Sequence, residues 1–333
     1  MPAVHHLSVV IPVYRGETSL PGVLAELAAY TTPTTTPGGR TFQVDEVLLV
    51  HDRGPDDSAR VLREAAATHA WVRPLWLSRN FGQHSATLAG CSASVSEWVV
   101  TMDEDGQHDP AALGAMLDVA MAEQADLVYA KPTNPSPHSS ARRAASSGAK
   151  WLTATLGGGA ATRDFHSFRL LVGEIARSVA AYAGPGIYLD VALHWVVNRV
   201  ATCPVAMRTG SGRESGYRWR TLLSHFWRLV LSSGTLPLRL VSIAGAGFAV
   251  LAVITAIGLA VARLASESWT IPGWTSIFVA LLFTTGLILF GLGVVAEYVG
   301  VAVNMAMGRP LYLAVRDPLD GPLGKDLGDA PPG

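Results

Sequence analysis

The sequence has little charge, few cysteines and no net excess of either sign of charge. Only 15% of its 333 residues are Asp, Glu, Lys or Arg, whereas 49% are hydrophobic and the mean hydropathy is +0.30. This composition excludes a disordered chain and is too apolar for an ordinary soluble enzyme. The two cysteines, Cys91 and Cys203, exclude a disulfide framework and a cysteine-rich metal cluster, and they fit a reducing compartment. A net charge of −1 gives no basic field for nucleic acid.

Two N-terminal signals are also missing. The first apolar run, residues 7–14, is short and has no basic segment before it, which argues against a cleavable signal peptide. No G-x-G-x-x-G motif follows that run, so a dinucleotide-dependent oxidoreductase is disfavoured.

Long uncharged stretches are present near the C-terminus. Residues 240–262 contain no charged side chain, and neither do residues 268–296, with Arg263 and Glu267 between them. Each stretch is long enough to cross about 30 Å of hydrocarbon as a helix. We therefore expect two transmembrane helices within residues 237–309, at about 240–262 and 274–296.

Arginines flank this pair of spans on one side. Four lie within residues 218–239 and two follow the second span, whereas the loop between the spans has one. The positive-inside rule predicts an inner or plasma membrane protein with its catalytic domain and both termini in the cytoplasm. Residues 218–236 have apolar side chains at helical spacing and predict an amphipathic interfacial helix. Residues 310–333 are expected to form a cytoplasmic tail whose end is disordered.

The N-terminal part, residues 1–217, alternates short β-rich runs, among them residues 46–50 and 72–77, with helical stretches such as residues 58–68. This alternation predicts an α/β domain with a mostly parallel sheet flanked by helices. Ligands of such sheets bind beyond the carboxyl ends of the strands, which directs attention to the loops after residues 13, 50, 77 and 102.

The loop after residue 102 has the most informative pattern. A hydrophobic run ends in Asp103, and Asp105 points the same way if the backbone stays extended. Carboxylates so placed suit Mg²⁺ or Mn²⁺ shared with a substrate diphosphate, whereas zinc would need Cys or His. Asp52 also stands at the end of a strand. His108 is either a further ligand or a polar surface residue, and a histidine in a loop is more often the latter.

Several short motifs along the chain together resemble one family. These motifs are Val10-Ile-Pro-Val-Tyr14 with Glu17, Leu77-Ser-Arg-Asn-Phe-Gly82, Met102-Asp-Glu-Asp-Gly-Gln107, Asp164-Phe-His-Ser-Phe-Arg169, Arg213-Glu-Ser-Gly-Tyr217, Pro237-Leu-Arg239, Glu297-Tyr-Val-Gly300 and Gly308-Arg-Pro-Leu-Tyr312. The set resembles the dolichol-phosphate mannosyltransferase-like branch of glycosyltransferase family 2, the polyprenyl-phosphate glycosyltransferases of GT-A fold. It covers nearly the whole chain, up to about residue 316. His51 replaces an aspartate common in the family, and His166 and Ser167 widen the Asp-Phe-Arg spacing.

The resemblance implies a metal-dependent, hexosyltransferase-like enzyme at the cytoplasmic membrane face. It would transfer one sugar, with inversion, from a UDP- or GDP-sugar to an undecaprenyl-, decaprenyl- or dolichyl-type phosphate, for cell-envelope glycans or for glycosylation of proteins or lipids. The glycine-rich spans favour helix association and hence a homo-oligomer. The implied residues are Asp105, Asp164 and Arg169 for catalysis, Pro12, Tyr14, Glu17, Asp52, Arg79 and Asp103 for the nucleotide sugar, Arg208, Arg213 and Ser215 for the acceptor phosphate, and Asp103, Asp105 and Gln107 for Mg²⁺ or Mn²⁺.

The acceptor chemistry agrees with this assignment. A phosphate monoester has its second pKa at about 6, so the lipid phosphate is largely dianionic at neutral pH and needs no strong base to attack a sugar. Asp164 either orients or deprotonates the acceptor, or it pairs with an arginine.

Two rival functions remain. A processive polysaccharide synthase would carry a Q-x-x-R-W motif, but Ser215 stands in place of the glutamine and two spans cannot form a polymer channel. A catalytically silent membrane scaffold is the other rival, and the intact Asp103–Asp105 pair argues against it.

Overall fold

The computed structural model describes residues 3–134, 165–184, 188–208, 274–308 and 310–322, together with individual positions between 241 and 261. Three predicted site residues, Asp164, Arg213 and Ser215, lie outside the described residues. So do the predicted interfacial helix at 218–236 and the end of the tail, 323–333.

Strands and helices alternate in the N-terminal domain. The strands are β1 (Val4–Val13), β2 (Thr34–Thr35), β3 (Thr41–His51), β4 (Val72–Leu77), β5 (Trp98–Thr101), β6 (Leu127–Pro132), β7 (Arg169–Val172), β8 (Val200–Val205) and β9 (Ala314–Val315). The helices are α1 (Leu20–Leu27), α2 (Ser58–Thr68), α3 (Gln83–Ala93), α4 (Ala112–Glu123), α5 (Gly173–Tyr182), α6 (Leu189–Val196) and α7 (Trp274–Ala306), with short 3-10 turns at Ala28–Tyr30 and Pro318–Asp320.

The strands form one mixed sheet in the order β8-β6-β7-β5-β1-β3-β4-β9, with β2 paired to β3. The centre is parallel, as predicted: β1 pairs in parallel with β3 and β5, and β3 with β4. Strand β7 runs antiparallel to both β5 and β6, and β9 runs antiparallel to β4. The prediction of a mostly parallel sheet is therefore right for the centre and incomplete at the sides.

Helices cover both faces of the sheet. Alternate residues of β1 separate into two cores, with Val9 and Ile11 packed toward α1 and α4, and Val10 packed toward α3. At Gly90 of α3 an added Cβ would overlap the Val10 side chain, so glycine lets this helix lie close on β1. Because helices cover both faces of the sheet, the strand ends have fixed positions, as a binding site at that edge requires.

Helix α7 is the one helix in the described residues with the length and composition to cross a membrane. Its apolar window is Phe283–Val303, almost none of which is covered by protein. The helix extends from Trp274 to Ala306 and so includes the predicted second span at 274–296, whose crossing of a membrane stays a prediction. The described positions between 241 and 261 are helical, but the first span itself stays a prediction.

The chain returns to the sheet after α7. Gly308 adopts φ +62 in the turn that ends the helix, a backbone region that favours glycine. Residues 310–322, which we term the C-terminal segment, add β9 to the edge of β4 and pack Leu311 and Tyr312 against the core beneath α3. The composition of the tail gave no sign of this strand, because a two-residue strand has no recognisable hydrophobic period.

Candidate active site

The carboxyl ends of β1, β3 and β5 meet at one edge of the sheet. Backbone hydrogen bonds continue beyond the regular ladders, from Asp52 N to Val13 O at 2.8 Å and from Met102 N to Val10 O at 3.0 Å. Tyr14, Asp52 and Asp103 are thereby brought to the same edge, as the parallel order of these strands predicts.

Glu104 orders the turn after β1. Its carboxylate accepts the backbone N–H groups of Tyr14 at 2.8 Å and Arg15 at 2.9 Å, and burial raises its pKa while these two hydrogen bonds oppose the rise. At Gly54 an added Cβ would overlap the Tyr14 carbonyl, so the loop after β3 lies directly against this turn. Sequence reasoning missed Glu104, although its place between two aspartates was a signal.

Asp52 holds the loop after β4. It is 3% exposed, and its two oxygens accept the backbone N–H groups of Phe81 at 2.7 Å and Gly82 at 2.8 Å. Burial raises the pKa of Asp52, and the two N–H donors oppose that rise. The same loop presents Arg79, whose guanidinium lies 4.2 Å from the Phe81 ring centre. Donor contacts by Asp52 and Arg79 stay predictions.

Glu17 and Pro12 occupy the β1 side of this edge. Glu17 accepts the Asp57 N–H at 3.2 Å and donates its own N–H to Asp56 at 3.1 Å, which ties the loop after β1 to the start of α2. Pro12 stands near the end of β1, in register with Val50. Their predicted contacts with the nucleotide remain untested.

Asp103 is anchored at both carboxylate oxygens. Gln83 Nε2 donates to Oδ1 at 2.6 Å and Ser167 Oγ donates to Oδ2 at 2.7 Å. Burial raises the pKa of Asp103, while the Ser167 hydrogen bond opposes that rise. Neither Gln83 nor Ser167 was predicted, and Ser167 belongs to the two-residue widening of the Asp-Phe-Arg motif.

Asp105 and Gln107 form an exposed turn beside Asp103. The Asp105 carboxylate accepts the Gln107 backbone N–H at 3.0 Å and the Gln107 side-chain amide at 2.8 Å. Gly106 between them has φ +74, where a side chain would be strained. The turn thus leaves the Asp105 carboxylate exposed to solvent at the carboxyl edge of the sheet.

The donor atoms at this edge fit a hard cation. No group of three His, Cys, Asp or Glu side chains comes together as a metal cage in the described residues. Asp103 and Asp105 instead supply two carboxylates, and such a pair suits Mg²⁺ or Mn²⁺, which complete their shells with water and substrate phosphate oxygens. Asp103 and Asp105 therefore fit a cation that binds together with a diphosphate, whereas Gln107 as a third ligand stays a prediction.

His108 is buried, and the prediction of a polar surface histidine is wrong. It is 4% exposed, lies 4.8 Å from the Phe168 ring in a stacked arrangement, and accepts the Asp103 N–H at Nδ1 at 2.9 Å. Burial lowers its pKa to about 4, so it is neutral and carries its proton on Nε2. Its apolar partner comes from a distant part of the chain, which sequence reasoning could not pair with it.

Arg169, predicted as a catalytic residue, lies in a buried ion pair with Asp190. Both side chains are 4% exposed. Arg169 Nε also donates to Thr101 Oγ1 at 3.0 Å, and Tyr129 donates to Asp190 at 2.8 Å. Thr101 in turn donates to the Ser167 carbonyl at 2.6 Å. This places Arg169 behind the residue that anchors Asp103; its contact with an acceptor stays a prediction.

Arg208, predicted to bind the acceptor phosphate, lies next to the Asp105 turn. The backbone N–H of Arg208 donates to the Gln107 carbonyl at 3.0 Å. Its guanidinium pairs with Glu26 at 2.7 Å and with Asp109 at 2.9 Å. The structure thus brings Arg208 to the predicted metal ligands, with two carboxylates neutralising it.

His51 is buried without hydrogen-bond partners among the described residues. It is 5% exposed, both ring nitrogens are unpaired, and it lies 5.2 Å from the Trp76 ring. Burial is the main cause that lowers its pKa below 6.5; nearby Arg53 and Arg63 add to this, and Asp56 and Asp317 oppose it.

We expect the His51→Phe variant to be more stable than wild type by about 1–2 kcal/mol at neutral pH, because it removes two unpaired polar atoms. In the unfolded chain His51 takes up a proton below a pKa of about 6.5, whereas the folded protein keeps it neutral, so wild type loses further stability as the pH falls from 6.5 toward the lower folded pKa. The difference in melting temperature should therefore widen from pH 7 to pH 5. A constant or reversed difference would contradict this account.

Comparison with known proteins gives matches in sequence over most of the chain. Residues 8–171 match the model of the family described as glycosyl transferase family 2. An undecaprenyl-phosphate 4-deoxy-4-formamido-L-arabinose transferase of Klebsiella pneumoniae subsp. pneumoniae is 31% identical over 317 residues, which cover 95% of this chain and 94% of that protein. A protein of the same name from Pseudomonas paraeruginosa is 32% identical over 313 residues, covering 93% and 89%.

Solved structures give weaker likenesses. Glucosyl-3-phosphoglycerate synthase from Mycobacterium tuberculosis, in complex with Mn²⁺, UDP and glucosyl-3-phosphoglycerate, has a TM-score of 0.46 at 17% identity, covering 69% of this chain and 79% of that one. TarS 1–349 of S. aureus in complex with UDP-GlcNAc has a TM-score of 0.46 at 16% identity, covering 68% and 66%.

Proposed function

Because the chain belongs to glycosyltransferase family 2, in its polyprenyl-phosphate branch, we propose that it transfers a single sugar from a nucleotide-sugar donor to a polyprenyl phosphate. The observation that carries this proposal is the meeting of Asp103 and Asp105 with Tyr14, Asp52 and Arg79 at one sheet edge. The named relatives, matched over about nine-tenths of their length, act on undecaprenyl phosphate by name and support the acceptor class.

The donor nucleotide lies along the ends of β1 and β3 in this proposal. The turn at Tyr14 and the loop of Arg79 form its two sides. Each is held by a carboxylate, the partly buried Glu104 or the buried Asp52. Because backbone N–H groups satisfy both carboxylates, the walls of the site are ordered before substrate binds, which lowers the entropic cost of binding.

Asp103 and Asp105 would hold Mg²⁺ or Mn²⁺, bound together with the donor diphosphate. When bound, the cation acts as a Lewis acid for the leaving diphosphate. Gln83 and Ser167 fix the orientation of Asp103, and Gln107 fixes that of Asp105. Gln83 also begins α3, whose N-terminus adds a positive partial charge at this edge.

The acceptor phosphate attacks the anomeric carbon directly in this mechanism. Its dianion is nucleophilic at neutral pH, and a single displacement inverts the anomeric centre. Positioning of the two substrates is then the main contribution of the protein. Arg208, beside the Asp105 turn, approaches the acceptor phosphate if it releases Glu26 or Asp109. Membrane attachment through α7, with the first span and the interfacial helix, brings the lipid to this edge at the cytoplasmic face.

The proposal predicts transfer of radiolabel from a nucleotide sugar to polyprenyl phosphate by the purified protein with Mg²⁺ or Mn²⁺. The donor panel should contain UDP- and GDP-hexoses, amino sugars and uronic acids, and nucleotide-activated 4-deoxy-4-formamido-L-arabinose because of the relatives' name. A single sugar on the lipid is the expected product, and proton NMR of the linkage should show inversion. Growing polymer would favour the polysaccharide synthase, and absence of product with every donor would favour the scaffold.

A further inference from the structure

The C-terminal segment contacts the loop that presents Arg79. The Ser78 N–H donates to the Leu313 carbonyl at 2.9 Å, and β9 continues this contact by pairing with the last residues of β4. Ser78 opens the loop of residues 78–82, and Asp52 holds the other end of that loop at Phe81 and Gly82. Residues 78–82, which we term the donor-site loop, are therefore fixed at one end by the C-terminal segment.

An ion pair fastens the C-terminal segment to α2. Arg63 donates from Nε and Nη2 to the two carboxylate oxygens of Asp317 at 2.6 and 2.7 Å. The Asp317 side chain is 15% exposed, and hydrogen bonds from Arg63 are the first cause that lowers its pKa. Two parallel bonds and partial burial make this pair stronger than the exposed ion pairs of the same helix.

The same ion pair also touches the layer of side chains behind the donor edge. The Arg63 guanidinium lies 4.8 Å from the centre of the Trp76 ring, and Trp76 lies against His51. His51 immediately precedes Asp52 in the chain. Arg63 therefore supports both ends of the donor-site loop, through β9 at Ser78 and through Trp76 near Asp52.

We propose that Arg63 and Asp317 are positioning residues for donor binding: their ion pair holds the C-terminal segment on β4 and thereby fixes residues 78–82 in the conformation that receives the nucleotide sugar. They act through Leu313 and Ser78 and do not touch the substrate. The identity of the ligand rests on the proposed function, whereas the ordering of the loop does not.

Hydrogen exchange of the full-length protein tests the ordering directly. In the Asp317→Asn variant the amides of residues 78–82 should exchange about tenfold faster than in wild type, while those of the central strand β1 stay unchanged. The matched control is Glu64→Gln, which makes the same acid-to-amide change in an exposed pair with Arg60 on the same helix. The Asp317→Glu variant keeps the charge and should restore most of the protection.

Binding of UDP and of GDP to the same four proteins tests the consequence. The dissociation constant for whichever nucleotide wild type binds should rise by about fivefold to tenfold in Asp317→Asn, and stay within about twofold in Glu64→Gln. Equal exchange at residues 78–82 in Asp317→Asn and wild type, or equal nucleotide affinity, would overturn the inference. If wild type bound neither nucleotide, the proposed function would fail, and the exchange result alone would decide whether the ion pair orders the loop.

Discussion

The Asp105→Asn variant should lose sugar transfer by about a hundredfold or more, because a cation on the leaving diphosphate supplies several kcal/mol of transition-state stabilisation and this substitution removes half of the carboxylate charge that holds it. Asparagine retains a side-chain oxygen that can accept the Gln107 N–H, so the turn of residues 105–107 is preserved. The loss therefore reports the charge of Asp105 and not the shape of its loop. Initial rates at saturating Mg²⁺ or Mn²⁺ are the measurement.

A matched control for Asp105 lies at the opposite end of the same strand. Glu97 precedes β5, is half exposed and pairs with His5 at the amino edge of the sheet. The Glu97→Gln variant should retain transfer within about twofold, since surface ion pairs contribute little. Normal turnover by Asp105→Asn would show that this aspartate does not hold an essential cation.

The Asp190→Ala variant should be destabilised by about 3–5 kcal/mol, because it leaves the charge of Arg169 buried without its partner. For a domain of this size the corresponding fall in melting temperature is about 6–20 °C. Loss of the Tyr129 hydrogen bond adds to the effect. Thermal unfolding of the purified protein in detergent provides the measurement.

A double variant separates this ion pair from catalysis. Replacing Arg169 by Met and Asp190 by Leu together removes both buried charges and should recover much of the lost stability. The double variant should still show weakened transfer, since Thr101 loses the donor that orients it toward Ser167 and hence toward Asp103. A wild-type melting temperature for Asp190→Ala would contradict the buried pair.

The sequence predicted the framework of the domain well because the strands have clear hydrophobic runs. Helix α2 and strand β4 have the predicted bounds, Ser58–Thr68 and Val72–Leu77. Strand β3 is longer than the predicted run of residues 46–50, since Thr41–Asp45 alternate between partly and fully buried side chains and show no continuous apolar stretch. The antiparallel course of β7 follows a long connection that gives no directional signal.

The site was predictable where residues stand at strand ends and not where partners come from elsewhere in the chain. Asp52 and Asp103 were identified from their places after strands. Ser167, which anchors Asp103, and Asp317, which pairs with Arg63, lie about 60 and 250 residues away from these partners. Propensity and spacing do not encode such pairs; only the fold brings them together.

The same limit explains why the burial of His108 and Arg169 was not predicted. A charged or polar residue in a loop sequence looks exposed until its cover is known. His108 is covered by Phe168, and Arg169 by α6 through Asp190. Burial of these side chains depends on contacts made over long sequence distances, which composition cannot reveal.

The most direct measurement of the central claim is the mass of the lipid product. Purified protein is incubated with polyprenyl phosphate, a cation and the donor panel, and the lipid is analysed by mass spectrometry beside an Asp105→Asn sample. We predict a mass increase of one sugar residue with a single phosphate retained on the lipid, absent from the variant. An unchanged lipid with every donor, or a product carrying a diphosphate, would contradict glycosyl transfer to a lipid phosphate.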